Sequence, residues 1–184
     1  GDKHSREINF PIVHNGADDN ASGVSIALIL TEMLQKKCKD LPYGITIVFT
    51  SGHELGLYGA NFFVKENESL LKEKPYVLNF DMVGRLENDY KGIGQLYFRV
   101  DDDHFWDTSE LPKSDARLDI VVKKLDSPLD QTSFHQQKLK AATFSTGIHP
   151  DYHKSTDDAK KINYQGIYLI YTFLENYIKS IIGT

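Results

Sequence analysis

Four short segments of the chain carry carboxylates and imidazoles placed so that they could act together. They are Asn15-Gly16-Ala17-Asp18-Asp19-Asn20-Ala21-Ser22-Gly23, Thr50-Ser51-Gly52-His53-Glu54-Leu55-Gly56-Leu57-Tyr58-Gly59, Asn79-Phe80-Asp81-Met82-Val83-Gly84-Arg85 and Asp151-Tyr152-His153-Lys154-Ser155-Thr156-Asp157. Asp, Glu and His donated from separate loops make the near-tetrahedral ligand sets that zinc takes. Two adjacent dications need a shared anion, and an Asp at a helix N-terminus is well fixed to supply it. Such a pair brings a bridging water close to neutral pKa, binds a free amine and polarises a carbonyl. A neighbouring base then takes the water's proton and returns it to a leaving amine.

Each segment taken alone is weak. Asp18-Asp19 reads equally as a plain helix cap, His53 as a strand-end histidine, and His153 as a surface histidine. Asn79 and Asp81 could be structural, although a buried acid without a partner is costly, which favours Asp81 as a ligand. His53-Glu54 does not open a His-Glu-x-x-His helix, because position 57 is Leu. His104, His135 and His149 stand in no motif, and Asp101-Asp102-Asp103 lacks the glycine and terminal glutamate of a calcium loop. Trp106 and the tyrosines read as core or rim, and Cys38 as an inert thiol.

The elements that must position these residues alternate along the chain, the pattern of an α/β layered fold. Strands are expected at Ile45 to Thr50, Tyr76 to Phe80, Gln95 to Val100, Leu118 to Val122 and Ala141 to Ser145. The first two are nearly all apolar, as in strands covered on both faces. Ala21 to Lys37 reads as a helix apolar all round and therefore buried, with Asp19 and Asn20 at its N-cap. Tyr164 to Ile182 reads as a terminal helix packed by the stripe Ile167, Ile170, Leu174, Ile178 and Ile181. Asp101 to Asp115 is polar and turn-rich, a surface excursion. Chemistry is expected at strand ends, where the loops of an open α/β sheet converge.

Composition narrows the partners. Lys and Arg number 21 against 26 Asp and Glu, a net charge of −5, with no basic face, which argues against a nucleic-acid partner. The 184 residues suit one domain over 1–184, and a hydrophobic content of 40% argues against disorder. No apolar run reaches the ~18 residues of a membrane span. A single cysteine excludes a disulfide framework and leaves the compartment open, and nothing in the sequence sets the oligomeric state.

Asn-Gly-Ala-Asp-Asp-Asn-Ala-Ser-Gly from Asn15, Glu-Leu-Gly-Leu-x-Gly from Glu54, Asn-x-Asp-Met-Val-Gly from Asn79 and Tyr-His-x-x-x-Asp from Tyr152 resemble the di-zinc aminopeptidases. That family includes secreted bacterial leucine aminopeptidases, with glutaminyl cyclases as relatives. The resemblance implies a mixed, mainly parallel sheet flanked by helices, a peptide substrate and zinc as cofactor. It implies Asp19 as the carboxylate bridging two zinc ions, Glu54 and His153 completing one, and Asp81 belonging to the other. Tyr152 takes a place from which some members steady the tetrahedral intermediate. Secretion or a periplasmic location is implied by family habit alone.

Two departures stand out. The family has Glu-Glu after the second strand, the first acting as general base; this chain has His53-Glu54. An imidazole beside dications loses its proton easily, so His53 is expected to be a weakened base at that position, or itself to bind metal. The family's His-x-Asp segment should lie upstream of Asn15, yet none occurs between Gly1 and Gly16, and neither His4 nor His14 replaces it. Gly-Asp-Lys-His is neither a signal peptide nor a natural start, so the expectation is a trimmed chain lacking N-terminal strands. The zinc on the Asp81 side is then expected to be weak or absent, and the sheet to keep an exposed edge. Two other readings stay open: a one-zinc acyl transferase like the glutaminyl cyclases, and a binding domain that keeps the fold without catalysis.

Overall fold

The structure, a computed structural model, describes residues 13–37, 44–100, 109 and 111–183. His4, Cys38, His104, Trp106 and the Asp101 to Asp103 run lie outside the described residues, as does most of the predicted surface excursion.

The described chain runs α1 (Gly23–Lys37), a short turn at His53–Leu55, α2 (Tyr58–Glu66), α3 (Glu68–Leu71) and β1 (Val77–Phe80). It continues through β2 (Gly94–Val100), β3 (Leu118–Lys124), α4 (Asp130–His135), β4 (Ala141–Ser145) and α5 (Tyr164–Ile182). The four strands form one sheet in the order β1-β4-β2-β3. β1 with β4 and β2 with β3 are parallel, and β2 with β4 is antiparallel, so the sheet is mixed and mainly parallel. The parallel pair β1 and β4 sends its two following loops to the same end of the sheet, where Asp81 and the His153 loop emerge.

Alternation along β4 explains the layering. Ala142 and Phe144 face a core shared with Ile26, Leu30 and Met33 of α1 and Ile170, Phe173, Leu174 and Tyr177 of α5. Ala141 faces the opposite side, where Ala60 and Val64 of α2 and Phe134 of α4 pack. Strand side chains point alternately to the two faces, so one five-residue strand serves both helical layers. Phe144 is the hub, 5.1 Å from the Phe98 ring and 5.8 Å from Tyr177.

Several expectations are corrected. Ile45 to Thr50 joins no ladder among the described residues; Ile45, Ile47 and Phe49 are exposed. A β-branched run has strand preference, but with no neighbouring edge among the described residues its backbone groups have no ladder there to join. β1 is half-buried rather than covered on both faces, because it is the edge strand here; β4, in the interior, is the fully buried one. Helix α1 buries the Ile26, Leu30, Met33 and Leu34 face alone, leaving Val24, Leu28 and Ile29 exposed. It also starts at Gly23 rather than Ala21, with the Asn20 carboxamide oxygen accepting from Gly23 N–H. Helix α5 buries Ile170 and Leu174 of the expected stripe and adds Phe173 and Tyr177. Helix α4 carries too few residues to show a period, and the sequence reading has no helix there.

Candidate metal centre

Two segments lead into helices and two follow strands, and all four meet. The turn Ala17–Ser22 brings Asp19 forward just before α1. Gly23 lets that helix start directly against the end of β1, since a Cβ there would lie 2.2 Å from the Phe80 carbonyl oxygen. Asn20 fastens the turn to the same strand end: its Nδ2 donates to Phe80 O and its Oδ1 accepts from Met82 N–H. Glu54 lies in the one-turn segment before α2, and His153 in the loop after β4.

Asp19, Glu54 and His153 each offer one ligand atom, all within 4.8 Å of one another. His153 Nε2 lies 2.8 Å from Glu54 Oε1 and 3.3 Å from Asp19 Oδ2. The Tyr152 ring stacks on the His153 imidazole at 3.7 Å between centroids, which restricts the ring that would face an ion. His153 itself adopts φ 57, a left-handed conformation that costs a non-glycine residue ~1–2 kcal/mol. Asp81, whose N–H donates to Phe144 O, is not in this trio. Burial holds its carboxyl up to about 6; His53 opposes that and the neighbouring Asp19, Asp130 and Asp18 reinforce it. The Asp19 carboxyl is likewise raised, first by burial, with His153 opposing and Glu54 adding to it. Burial and the mutual repulsion of neighbouring carboxylates both disfavour the charged forms here.

His53 is in contact with a residue that no motif marks. Its Nδ1 lies 3.2 Å from Asp130 Oδ1, at the first position of α4. Asp130 Oδ2 accepts from the Thr50 hydroxyl at 2.7 Å. That neighbour, ahead of opposing burial, raises His53 to about 9. The Asp130 carboxyl is lowered: burial pushes it up, and the hydrogen bonds from His53 and Thr50 prevail.

Behind the trio lies a buried polar layer. Asp18, wholly buried, accepts from Ser22 Oγ at 2.8 Å and from Gly84 N–H at 2.6 Å, and its Oδ2 lies 3.2 Å from His149 Nε2. Burial raises its pKa against those hydrogen bonds. Gly84 makes that approach possible, as a Cβ there would fall 2.8 Å from Asp18 Oδ1. Asp157 Oδ2 accepts from the N–H groups of Asp18 and Asp19 at 2.9 and 3.0 Å. Arg85 Nη2 reaches Asp151 Oδ2 at 2.7 Å, tying the loop after β1 to the loop that carries His153. Asp130 stands in no motif of the sequence; Asp151 and Asp157 bound the His153 segment without an assigned role, and His149, expected to be ordinary, is a buried partner of Asp18. The only sequence cue for Asp130 is Ser127-Pro128-Leu129 just before it, which fits a helix start.

Known proteins share this arrangement of chain. Residues 3–177 match Peptidase family M28. Aminopeptidase YwaD of Bacillus subtilis (strain 168) is 27% identical over 158 residues, which cover 80% of this chain and 34% of that protein. The structure of BSAP, a zinc aminopeptidase from Bacillus subtilis, superposes with a TM-score of 0.71 at 21% identity, covering 95% of this chain and 44% of that one. LapB from Legionella pneumophila superposes at 0.75 and 20% identity, covering 93% and 48%. The structural likenesses establish the fold. This chain spans about a third of YwaD and less than half of BSAP or LapB.

Proposed function

Because the chain belongs to Peptidase family M28, we propose that it carries the metal-binding and catalytic part of a zinc-dependent aminopeptidase that removes residues from the N-termini of peptides. The observation that carries this reading is the convergence of Asp19, Glu54 and His153 from three chain-remote segments. Two carboxylates and an imidazole are ligand types that zinc takes, and three protein ligands leave a further position open. The raised Asp19 and Asp81 carboxyls fit a site built for a cation. The names of YwaD and BSAP support the same assignment.

In this reading Asp19, Glu54 and His153 hold one zinc tightly, and Asp81 offers a weaker second position beside Asp19. A bound zinc supplies Lewis acidity: it acidifies a water and polarises the first carbonyl of a peptide. The protein's own groups do the rest. His53, at the position before Glu54, moves the proton from the attacking water to the leaving amine. Tyr152, held against His153, is placed to steady the developing oxyanion.

The test combines metal counting with hydrolysis. Zinc-loaded protein is expected to release amino acids from aminoacyl arylamides, with one firmly held zinc per chain. Glu54→Gln is expected to lose both the zinc and the activity. Two tightly held zincs would refute the single-site part, and cyclisation of N-terminal glutamine without amino-acid release would refute the hydrolase part.

A further inference from the structure

We infer that Asp130 is the positioning residue of the proton-transfer group: with His53 it forms a carboxylate–imidazole pair that orients Nε2 toward the reacting water. This rests on the peptidase reading of the site. The pair is built rather than incidental. Asp130 Oδ1 is buried and, among the described residues, has only the His53 ring nitrogen at 3.2 Å to face. The other oxygen is fixed by the Thr50 hydroxyl, three residues before His53 on the same loop. Carboxylate and imidazole are thus referenced to one stretch of backbone.

Helix α4, which presents Asp130, is pinned from two sides. Gln131, buried, accepts from Thr143 Oγ1 of β4 at 2.6 Å, and Thr143 accepts in turn from Asn79 Nδ2 of β1. Ser133 Oγ donates to Asn61 Oδ1 of α2 at 2.8 Å. Asn79 belongs to the Asp81 segment and Asn61 to the helix that follows Glu54. The carboxylate is therefore fixed relative to both neighbouring site loops before it meets His53.

The chemistry calls for this. A glutamate in that position presents two equivalent oxygens, either of which takes a proton. An imidazole has two inequivalent nitrogens, and only one can face the reaction. In the neutral ring, a carboxylate on Nδ1 keeps the one proton there and leaves Nε2 as acceptor, an orienting role that carboxylates play for catalytic histidines elsewhere. Hydrolysis adds the water oxygen to the carbonyl carbon and breaks the carbon–nitrogen bond. One water proton passes through Nε2 to the departing amine nitrogen, and no other reactant is consumed.

The experiment compares Asp130→Ala and Asp130→Asn, each in the natural background and with His53→Glu. On aminoacyl arylamides, Asp130→Ala is expected to lower kcat ~30-fold while KM stays within threefold and zinc content is unchanged. Asp130→Asn, which keeps an oxygen for Nδ1–H, is expected to recover most of that loss. With His53→Glu in place, Asp130→Ala is expected to lower kcat less than threefold, since a glutamate needs no such partner. Independently of turnover, nitrogen-15 NMR of metal-free protein is expected to show a protected His53 Nδ1 proton, present in Asp130→Asn and lost in Asp130→Ala. An equal kcat loss in both backgrounds, or an Nδ1 signal indifferent to Asp130→Ala, overturns the pairing. Absent turnover in every variant with the Nδ1 signal behaving as expected would instead overturn the peptidase reading and leave the pairing standing.

Discussion

Asp157 touches no ligand atom, yet its removal is expected to cost more stability than loss of most surface acids. It is 2% exposed. Its Oδ2 accepts from Asp18 N–H at 2.9 Å and Asp19 N–H at 3.0 Å, and its own carbonyl accepts from Ala17 N–H. Asp157→Ala removes the side-chain acceptor of both amides and leaves two donors, one of them fully buried, without a partner. Each such donor costs ~1–3 kcal/mol. Some of that is offset because Asp18 loses a repulsive neighbour: Asp157 is among the charges that raise it. A net loss of ~2–4 kcal/mol follows, which for a chain of this size lowers Tm by ~5–15 °C. Asp157→Asn keeps an oxygen for both amides and exchanges charge-assisted for neutral hydrogen bonds, so its cost is expected to be only ~1 kcal/mol.

Denaturant unfolding of the metal-free protein measures this without interference from zinc, which would otherwise stabilise by mass action. Asp157→Ala lying within ~0.5 kcal/mol of the natural chain would refute the reasoning, because that is the range of ordinary surface substitutions. So would Asp157→Asn as damaging as Asp157→Ala, since the argument rests on the acceptor rather than the charge.

Two further predictions concern the same region. Asp81 is raised from 3.8 to about 6 and His53 from 6.5 to about 9, so in both cases the folded state holds the proton more tightly than the unfolded chain. Metal-free protein should therefore lose stability as pH rises from about 4 through 6 and again from about 6.5 through 9. Each loss should be of order 1–2 kcal/mol after solvent screening. Asp81→Asn should flatten the first slope and Asp130→Asn the second, read from unfolding free energies across that range; a rise in stability over either window would contradict the assignment. Arg85→Met breaks the contact to Asp151 and should weaken zinc binding ~10-fold by loosening the His153 loop, as loss of an outer partner does elsewhere. Chelator competition would show it, and an unchanged affinity would mean that Lys161 and Thr156 hold Asp151 well enough alone.

The loops that bear candidate ligands were legible because their information is local. Asp19 and Glu54 sit among glycines, and His153 among Asp, Ser and Thr, types that turns favour, so short segments could be recognised without the fold. Helices α1 and α5 and strands β2 and β4 followed from apolar patterning for similar reasons, whereas the mixed sheet was implied by the family resemblance of those loops. What escaped depends on contacts across the chain. Asp130 gains its meaning only from His53, 77 positions earlier. His149 gains its own from Asp18. Ile45 to Thr50 has every local feature of a strand, and local features do not supply the neighbouring edge on which a strand depends. The exposed face of α1 fails for the same reason: its sequence states apolarity, and burial also requires a covering element.

The acids that never reach the trio explain how a site made of loops can be held in register. Loop backbones lack the regular hydrogen bonds of helices and strands, and their buried amides need partners of another kind. Asp18 takes the Gly84 amide, Asp157 takes those of Asp18 and Asp19, and Asp151 takes the Arg85 side chain. Each contact joins two different loops. Burying a carboxylate is unfavourable unless such bonds compensate it, so each acid keeps these bonds only when both of its loops are in place. The cost of burial thereby becomes a condition on geometry: Asp19 cannot shift without stripping Asp157 of a donor, nor the Asp81 loop without stripping Asp18. Replacing Asp18 or Asp157 should consequently disturb metal binding at Asp19 more than an equally large cavity in the Phe144 core, which leaves these inter-loop bonds intact.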